Sequence, residues 1–273
     1  MARSNSPDFY DVEFCHIDSE SEGARTPLTD PLDASAEDSV PDTVPETENH
    51  DFCTLRCLGG LIYTGELDRA CPNVASHGLD HHEIGPERFA ERIRHQLNHD
   101  YYRGVDMISY STRTKSVIFK ATLFPWRYTV VLKAATNPSA YYQKRETQIY
   151  RQLEEAQGYD VPFCLGDFEL SYPLRPPEMA SWERPHFLVL AWAGHAIDCV
   201  TDDANYTIHQ NQYPDLDAQV YLDTGVKHLR PLPRHICWNE EIQRPMLIDF
   251  SWALAVKPGA DLFNFGVHPQ PQG

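Results

Sequence analysis

The sequence predicts an α+β fold with a small antiparallel sheet in its N-terminal half. Three observations carry this. Apolar runs at 105–110, 117–124 and 128–134 are separated by a polar turn at 111–115 and by Pro125-Trp126-Arg127, the pattern of an antiparallel meander. The next stretch, 142–153, sets Ile149, Tyr150 and Leu153 at helical spacing. Further on, Ile236-Cys237-Trp238 and Met246-Leu247-Ile248 flank Asn239-Glu240-Glu241, which reads as two strands joined by a tight turn.

A chain of 273 residues, 41% hydrophobic and 11% aromatic, is long enough to fill the core of one large domain or two small ones. Its acidity is concentrated at one end. Residues 1–51 hold fourteen Asp and Glu against two Arg, a net of −12 out of −17, and the remainder carries only −5. Rich in Ser, Pro, Thr, Asp and Glu, this segment has too little apolar surface to offset the entropy of ordering, and reads as a disordered acidic tail. Its apolar island, Phe9, Tyr10, Val12 and Phe14, has the form of a short docking motif. A negative chain lacking a basic patch is not expected to bind nucleic acid. No apolar run approaches the roughly 20 residues needed to span a bilayer, and the N-terminus lacks the order of a secretion signal, so no membrane partner and a cytoplasmic or nuclear location are expected. The seven cysteines are odd in number and scattered, which predicts reduced thiols.

Residues 52–104 form an N-terminal extension. It holds Cys53, Cys57, Cys71 and His77, with His81 and His82 close behind, so zinc has to be weighed. The spacings Cys-x3-Cys and Cys-x13-Cys do not make a paired-ligand signature, and the expectation is packing cysteines and surface histidines. Behind Pro86, Phe89, Ile93, Leu97 and Tyr101 recur every four residues and predict an amphipathic helix. In the meander, Lys133 ends the apolar run Tyr128-Thr-Val-Val-Leu, where an unpartnered lysine is costly, unless it lies on an edge strand and its amine reaches solvent. The following helix carries Glu146. Residues 161–170 read as a strand, and 187–193, FLVLAWA, as a strand released at Gly194. Between 198 and 217 the pattern is polar and weakly periodic, and Pro214 can only start or interrupt a helix there.

Residues 225–253, GVKHLRPLPRHICWNEEIQRPMLIDFSWA, follow the frame of a kinase-type catalytic loop and metal-binding turn. That frame is His-x-Asp-x4-Asn, a hairpin, then a hydrophobic strand ending in Asp-Phe-Gly. Here His228 keeps the His, Arg230 stands at the Asp, His235 at the Asn, and Asp249-Phe250-Ser251 replaces Asp-Phe-Gly. Together with LDRACPNVASHG (67–78), FKATLFPWRYTVVLK (119–133), ETQIYRQLEEAQGYDVPFCLG (146–166) and FLVLAWAG (187–194), this stretch resembles the protein-kinase-like proteins of filamentous fungi. The resemblance covers roughly 52–256. It implies a two-lobed protein-kinase-like fold, with a small antiparallel-sheet N-lobe at 105–193 and a truncated, reduced helical C-lobe at 194–273. It also implies ATP and Mg2+ as ligands, Lys133 and Glu146 as the phosphate-holding pair, Asp249 as a metal ligand, His235 at a second metal position and Arg230 at the catalytic position.

The departures from the pattern point to lost catalysis. A guanidinium cannot accept a proton. An imidazole is a poor ligand for Mg2+, which prefers oxygen. The loop 111–116, STRTKS, lacks the glycines that let backbone approach a phosphate. Only 24 residues follow Asp249, few for an activation segment. The expectation is a pseudokinase that binds nucleotide weakly or not at all and acts through contact with a protein partner. The alternatives are an active small phosphotransferase with a relocated base, for which Asp223 is the candidate, and an adaptor working through its acidic tail.

Overall fold

The computed structural model describes residues 51–100, 103–111, 116–135, 140–171, 185–197 and 213–256. The predicted acidic tail, the polar stretch before Pro214 and the C-terminus after residue 256 lie outside these.

The meander forms as predicted: β1 Val105–Ser111, β2 Ser116–Leu123 and β3 Tyr128–Ala135. With β4 Cys164–Glu169 and β5 His186–Leu190 they make a five-stranded sheet of order β1-β2-β3-β5-β4 in which every neighbouring pair is antiparallel. β3 lies inside the sheet, with Lys133 opposite Ile118 on β2 and Leu188 on β5. The edge-strand alternative for Lys133 is therefore excluded. β3 is buried along its length except at Lys133, because both of its faces are covered.

Strand alternation divides β3 between two cores. Val130, Leu132 and Ala134 face one that also contains Leu58, Phe89, Ile93 and Phe187. The residues from 53 to 97 in this core belong to the extension, which covers that face with α1 Leu55–Gly59, a π-helical turn Gly60–Thr64 and α2 Pro86–His99. Pro86 occupies the first turn of α2, where a missing N–H costs nothing, and Phe89, Ile93 and Leu97 form its buried stripe. The Gln96 side chain fastens α2 to the sheet: its amide donates to the carbonyls of Arg103 (3.0 Å) and Thr122 (2.9 Å) and accepts from the Phe124 N–H (2.9 Å).

Val131 lies in the other core with Ile149, Tyr150, Leu188, Ile236, Leu247 and Phe250. This places the Lys133 side of β3 against α3 Ala140–Gln152 and the C-terminal elements. Those elements are β6 His195–Ala196, α4 Tyr213–Thr224, β7 Val226–Lys227, β8 Ile236–Asn239, β9 Arg244–Leu247 and β10 Leu254–Ala255. Pro214 starts α4 rather than interrupting it. β8 and β9 are the predicted hairpin, with β6 added to one side, and β7 pairs with β10. Asn239 makes the hairpin turn by accepting from the N–H groups of Glu241 (3.0 Å) and Ile242 (3.2 Å), while its amide donates to the Trp192 carbonyl (3.3 Å). The Glu241 carboxylate then reaches across to the extension and accepts the N–H groups of Leu55 (2.6 Å) and Arg56 (3.0 Å) at the start of α1. The chain is thus α+β with antiparallel sheets, and no described helix is long and apolar enough to cross a membrane.

Gly194, where the chain leaves β5 for β6, has φ +101°, and a Cβ there would sit 1.8 Å from the Trp238 carbonyl oxygen. Gly194→Ala is expected to lower stability by at least about 1–3 kcal/mol, the usual cost of such a backbone conformation for a side-chain-bearing residue. The denaturation midpoint, compared with that of Gly85→Ala, which meets open space, is the measurement.

Candidate functional site

Interior placement on β3 sends the Lys133 amine toward α3 and the turn after β9. The Gln143 side chain, one turn of α3 before Glu146, donates to the Lys133 carbonyl and holds strand and helix in register. Lys133 Nζ lies 2.7 Å from Glu146 Oε2 and 2.7 Å from Asp249 Oδ1. The other oxygen of Glu146 accepts the Phe250 N–H (3.1 Å), so a fully buried carboxylate is satisfied from the sheet and from the turn together. Asp249 occupies the left-handed region at φ 63° and ψ 64°, a conformation that short polar side chains tolerate. The Ser251 hydroxyl donates to Asp249 Oδ1 (2.7 Å) and helps hold it there.

One ammonium serves two carboxylates, and the two respond differently. At Glu146 burial prevails over the attraction of Lys133 and pushes the pKa up to about 7. At Asp249 burial is outweighed by Lys133 and His235, which hold its pKa well below the carboxylate range. Burial also works against the charge on Lys133, but the Asp249 and Glu146 carboxylates overcome it and raise its pKa above the ordinary value. Replacing Lys133 by an apolar residue leaves the fully buried Glu146 and the partly exposed Asp249 without their shared ammonium, a loss of about 3–5 kcal/mol in comparable buried pairs.

The 225–235 segment is anchored from below. Asp217 on α4 accepts from Lys227 Nζ (2.7 Å) and from the His228 N–H (3.3 Å). His228 is fully buried; its Nε2–H donates to the Ile248 carbonyl (2.8 Å) and its Nδ1 accepts the Arg230 N–H (3.3 Å). Both ring nitrogens of a neutral imidazole are used. His235 directs Nδ1–H to the Arg230 carbonyl (2.8 Å), and its Nε2 faces Asp249 Oδ2 at 3.4 Å. Burial pushes the pKa of His235 down. In the neutral form a lone pair then faces a carboxylate, and a proton or cation between them is needed to make that contact attractive.

Of the residues singled out from sequence, Lys133, Glu146 and Asp249 meet directly, and His235 joins them through Asp249. The Arg230 side chain does not join. It is exposed, with its guanidinium 5.4 Å from the centre of the Trp252 ring. Asp223 is exposed on α4 and hydrogen-bonded to Gln219 (2.7 Å), and it acts electrostatically on Asp160. Among the described residues no contact links it to Lys133 or Asp249. Residues 112–115, the expected phosphate-covering turn, lie outside the described residues. Asp217 was not legible in advance, since its role depends on a contact ten residues along the chain.

The three cysteines of the extension pack in the core as expected, but the expectation of surface histidines fails at His77, which is buried among them. Cys53, Cys57, Cys71 and His77 are all buried and all come together, with their Sγ and ring nitrogen atoms within 4.8 Å of one another. His81 is exposed and His82 half-buried.

Over 209 residues the chain is 31% identical to the meiotic driver SPOK2 of Podospora anserina. The matching region is 74% of this chain but 26% of SPOK2, so the chain spans about a quarter of the length of that relative. No family model matches the chain.

Burial lowers the pKa of His228 below its ordinary value of 6.5. The folded form therefore binds its proton less readily than the unfolded form, and the stability His228 contributes is present above pH 6.5 and lost as pH falls through its folded value. Glu146, raised to about 7, acts with the opposite sign. The difference in unfolding free energy between wild type and His228→Asn isolates the histidine and should shrink steadily as the pH of the denaturant titration is taken below 6.5.

Proposed function

We propose that the chain is a two-lobed, protein-kinase-like domain of the fungal type, catalytically impaired, which acts by contact with a protein partner. The observation that carries this reading is the ion triad of Lys133, Glu146 and Asp249. A strand lysine bonded to a helix glutamate and to the aspartate after a hydrophobic strand is the arrangement by which kinase-type sites hold nucleotide phosphates and Mg2+. In this reading the five-stranded sheet with α3 is the small lobe, and α4 with the short strands at 195–256 is the described part of the large lobe.

The same residues support impairment. The base position holds Arg230, whose guanidinium is turned onto Trp252 and has no lone pair to offer a hydroxyl. At the second metal position is His235, a nitrogen ligand where Mg2+ favours oxygen. Asp249 is already compensated by Lys133, so a metal ion has to compete for it. ATP and Mg2+ would be held by Lys133 and Asp249, weakly. The likeness to a quarter of a meiotic driver supports a module of a kind that is also built into a larger protein.

Calorimetric titration of the full chain with ATP and Mg2+ or Mn2+ is expected to give a Kd of about 0.1 mM or weaker, lost in Asp249→Asn, with no transfer of the γ-phosphate. General-base assistance contributes about 10^2 to 10^4 in rate, so Arg230→Asp is expected to create measurable ATP turnover. Turnover by the wild type that disappears in Asp249→Asn would instead establish an active phosphotransferase and overturn the impaired reading.

A further inference from the structure

We propose that Cys53, Cys57, Cys71 and His77 bind one structural zinc ion, which folds the N-terminal extension and fixes it to the turn between β2 and β3. Each of the four residues is at most 3% exposed, so these are the chemically reactive side chains of an interior site rather than of the surface. Three thiols and an imidazole are a Cys3His set, which selects zinc over the oxygen-seeking ions.

The spacing of the donor atoms suits that ion. His77 Nε2 lies 3.4 Å from Cys53 Sγ and 3.4 Å from Cys71 Sγ. A tetrahedral zinc with Zn–S of about 2.3 Å and Zn–N of about 2.0–2.1 Å puts sulfur and nitrogen about 3.5 Å apart. The surroundings suit it equally. His77 Nδ1–H donates to the Trp126 carbonyl (2.8 Å), which fixes the tautomer with the Nε2 lone pair turned toward the sulfurs. The Tyr128 ring stacks on His77 at 4.1 Å and sets the plane of the imidazole. Cys53 Sγ accepts the Thr129 N–H (3.3 Å) and the Asn73 amide (3.6 Å), the kind of donors that offset charge on a metal-bound thiolate. A disulfide between any two of the cysteines leaves the third thiol and the aligned imidazole without a purpose, whereas a metal engages all four.

Backbone geometry presents the ligands without a regular scaffold. Cys53 is fixed by its N–H to the Thr129 carbonyl (3.0 Å), and Cys57 follows one turn later in α1, whose Thr54 cap accepts the Cys57 N–H (3.1 Å). Cys71 closes a turn in which Asp68 accepts the N–H groups of Ala70 and Cys71, and His77 ends the short 3-10 turn Val74–Ser76. The stretch from Gly65 to Gly85 has no longer helix or strand, so its conformation depends on cross-links, and a metal supplies them.

The test uses the full chain purified under reducing conditions. Elemental analysis should find one zinc per chain, unchanged in Cys164→Ser, a cysteine outside the cluster, and largely lost in Cys71→Ser and His77→Ala. Exchange for cobalt in the wild type should produce thiolate-to-metal charge-transfer absorption with the intense visible bands of tetrahedral Co(II), a readout that holds even if the variants fail to fold. Chelation should lower the thermal midpoint. A folded, reduced wild-type chain that contains no zinc and gives no cobalt spectrum overturns the proposal, and so does a disulfide between two of the three cysteines found by alkylation mapping.

Discussion

The second core is closed by the ammonium of Lys133. It stands on the one position of β3 that is not fully buried and meets a carboxylate from α3 and another from the turn after β9. Lys133 is the one ammonium that both carboxylates share, with the His235 imidazole also 3.4 Å from Asp249, and Glu146 also holds the Phe250 backbone. Sheet, helix and C-terminal turn are thereby tied at one point, and the apolar contacts of Ile149, Tyr150, Leu188 and Phe250 are arranged around it. Charge and packing reinforce each other here. The ion triad is tolerable in the interior only because three elements satisfy it, and their relative placement depends on it.

Much of this arrangement could be read from the sequence, and the reasons are local. The strands announce themselves as apolar runs between turn residues, because a β-strand shows its environment with a period of two and its ends with proline or polar clusters. The pairing of Lys133 with Glu146 followed from the order of motifs, whereas the contact of Lys133 with Asp249, read from sequence only as a metal ligand, appears in the structure. Pro214 was correctly restricted to starting or stopping a helix. What remained hidden depends on contacts between distant segments. The meeting of Cys53, Cys57, Cys71 and His77 was not legible because one pair is separated by three residues and the next by thirteen, and because the imidazole is oriented by the carbonyl of Trp126, nearly fifty residues away. The side-chain direction of Arg230 was likewise not in its position. Sequence placed it at the centre of the site, whereas its guanidinium lies over Trp252.

Tautomer selection recurs in this chain and gives its histidines separate roles. His228, bonded at both nitrogens to backbone, is a structural spacer between the 226–230 segment and the Asp249 turn. His235 has one nitrogen committed and the other turned to a carboxylate, and His77 has one committed and the other turned to sulfur. A backbone carbonyl costs the chain little and leaves the remaining lone pair with a defined direction.

The carboxylate of Glu241 holds the start of α1 against the β8–β9 hairpin, while Cys53 and His77 hold the same extension against the β2–β3 turn. The extension therefore runs as a strap along the back of the molecule, from the sheet to the C-terminal half. Lys133 and Asp249 make their own connection elsewhere. The strap is matched by several ties rather than one, so the joint is redundant: with Lys133 released from Asp249, Arg244 would still hold Asp160 and Arg145 would still hold the Ala253 carbonyl.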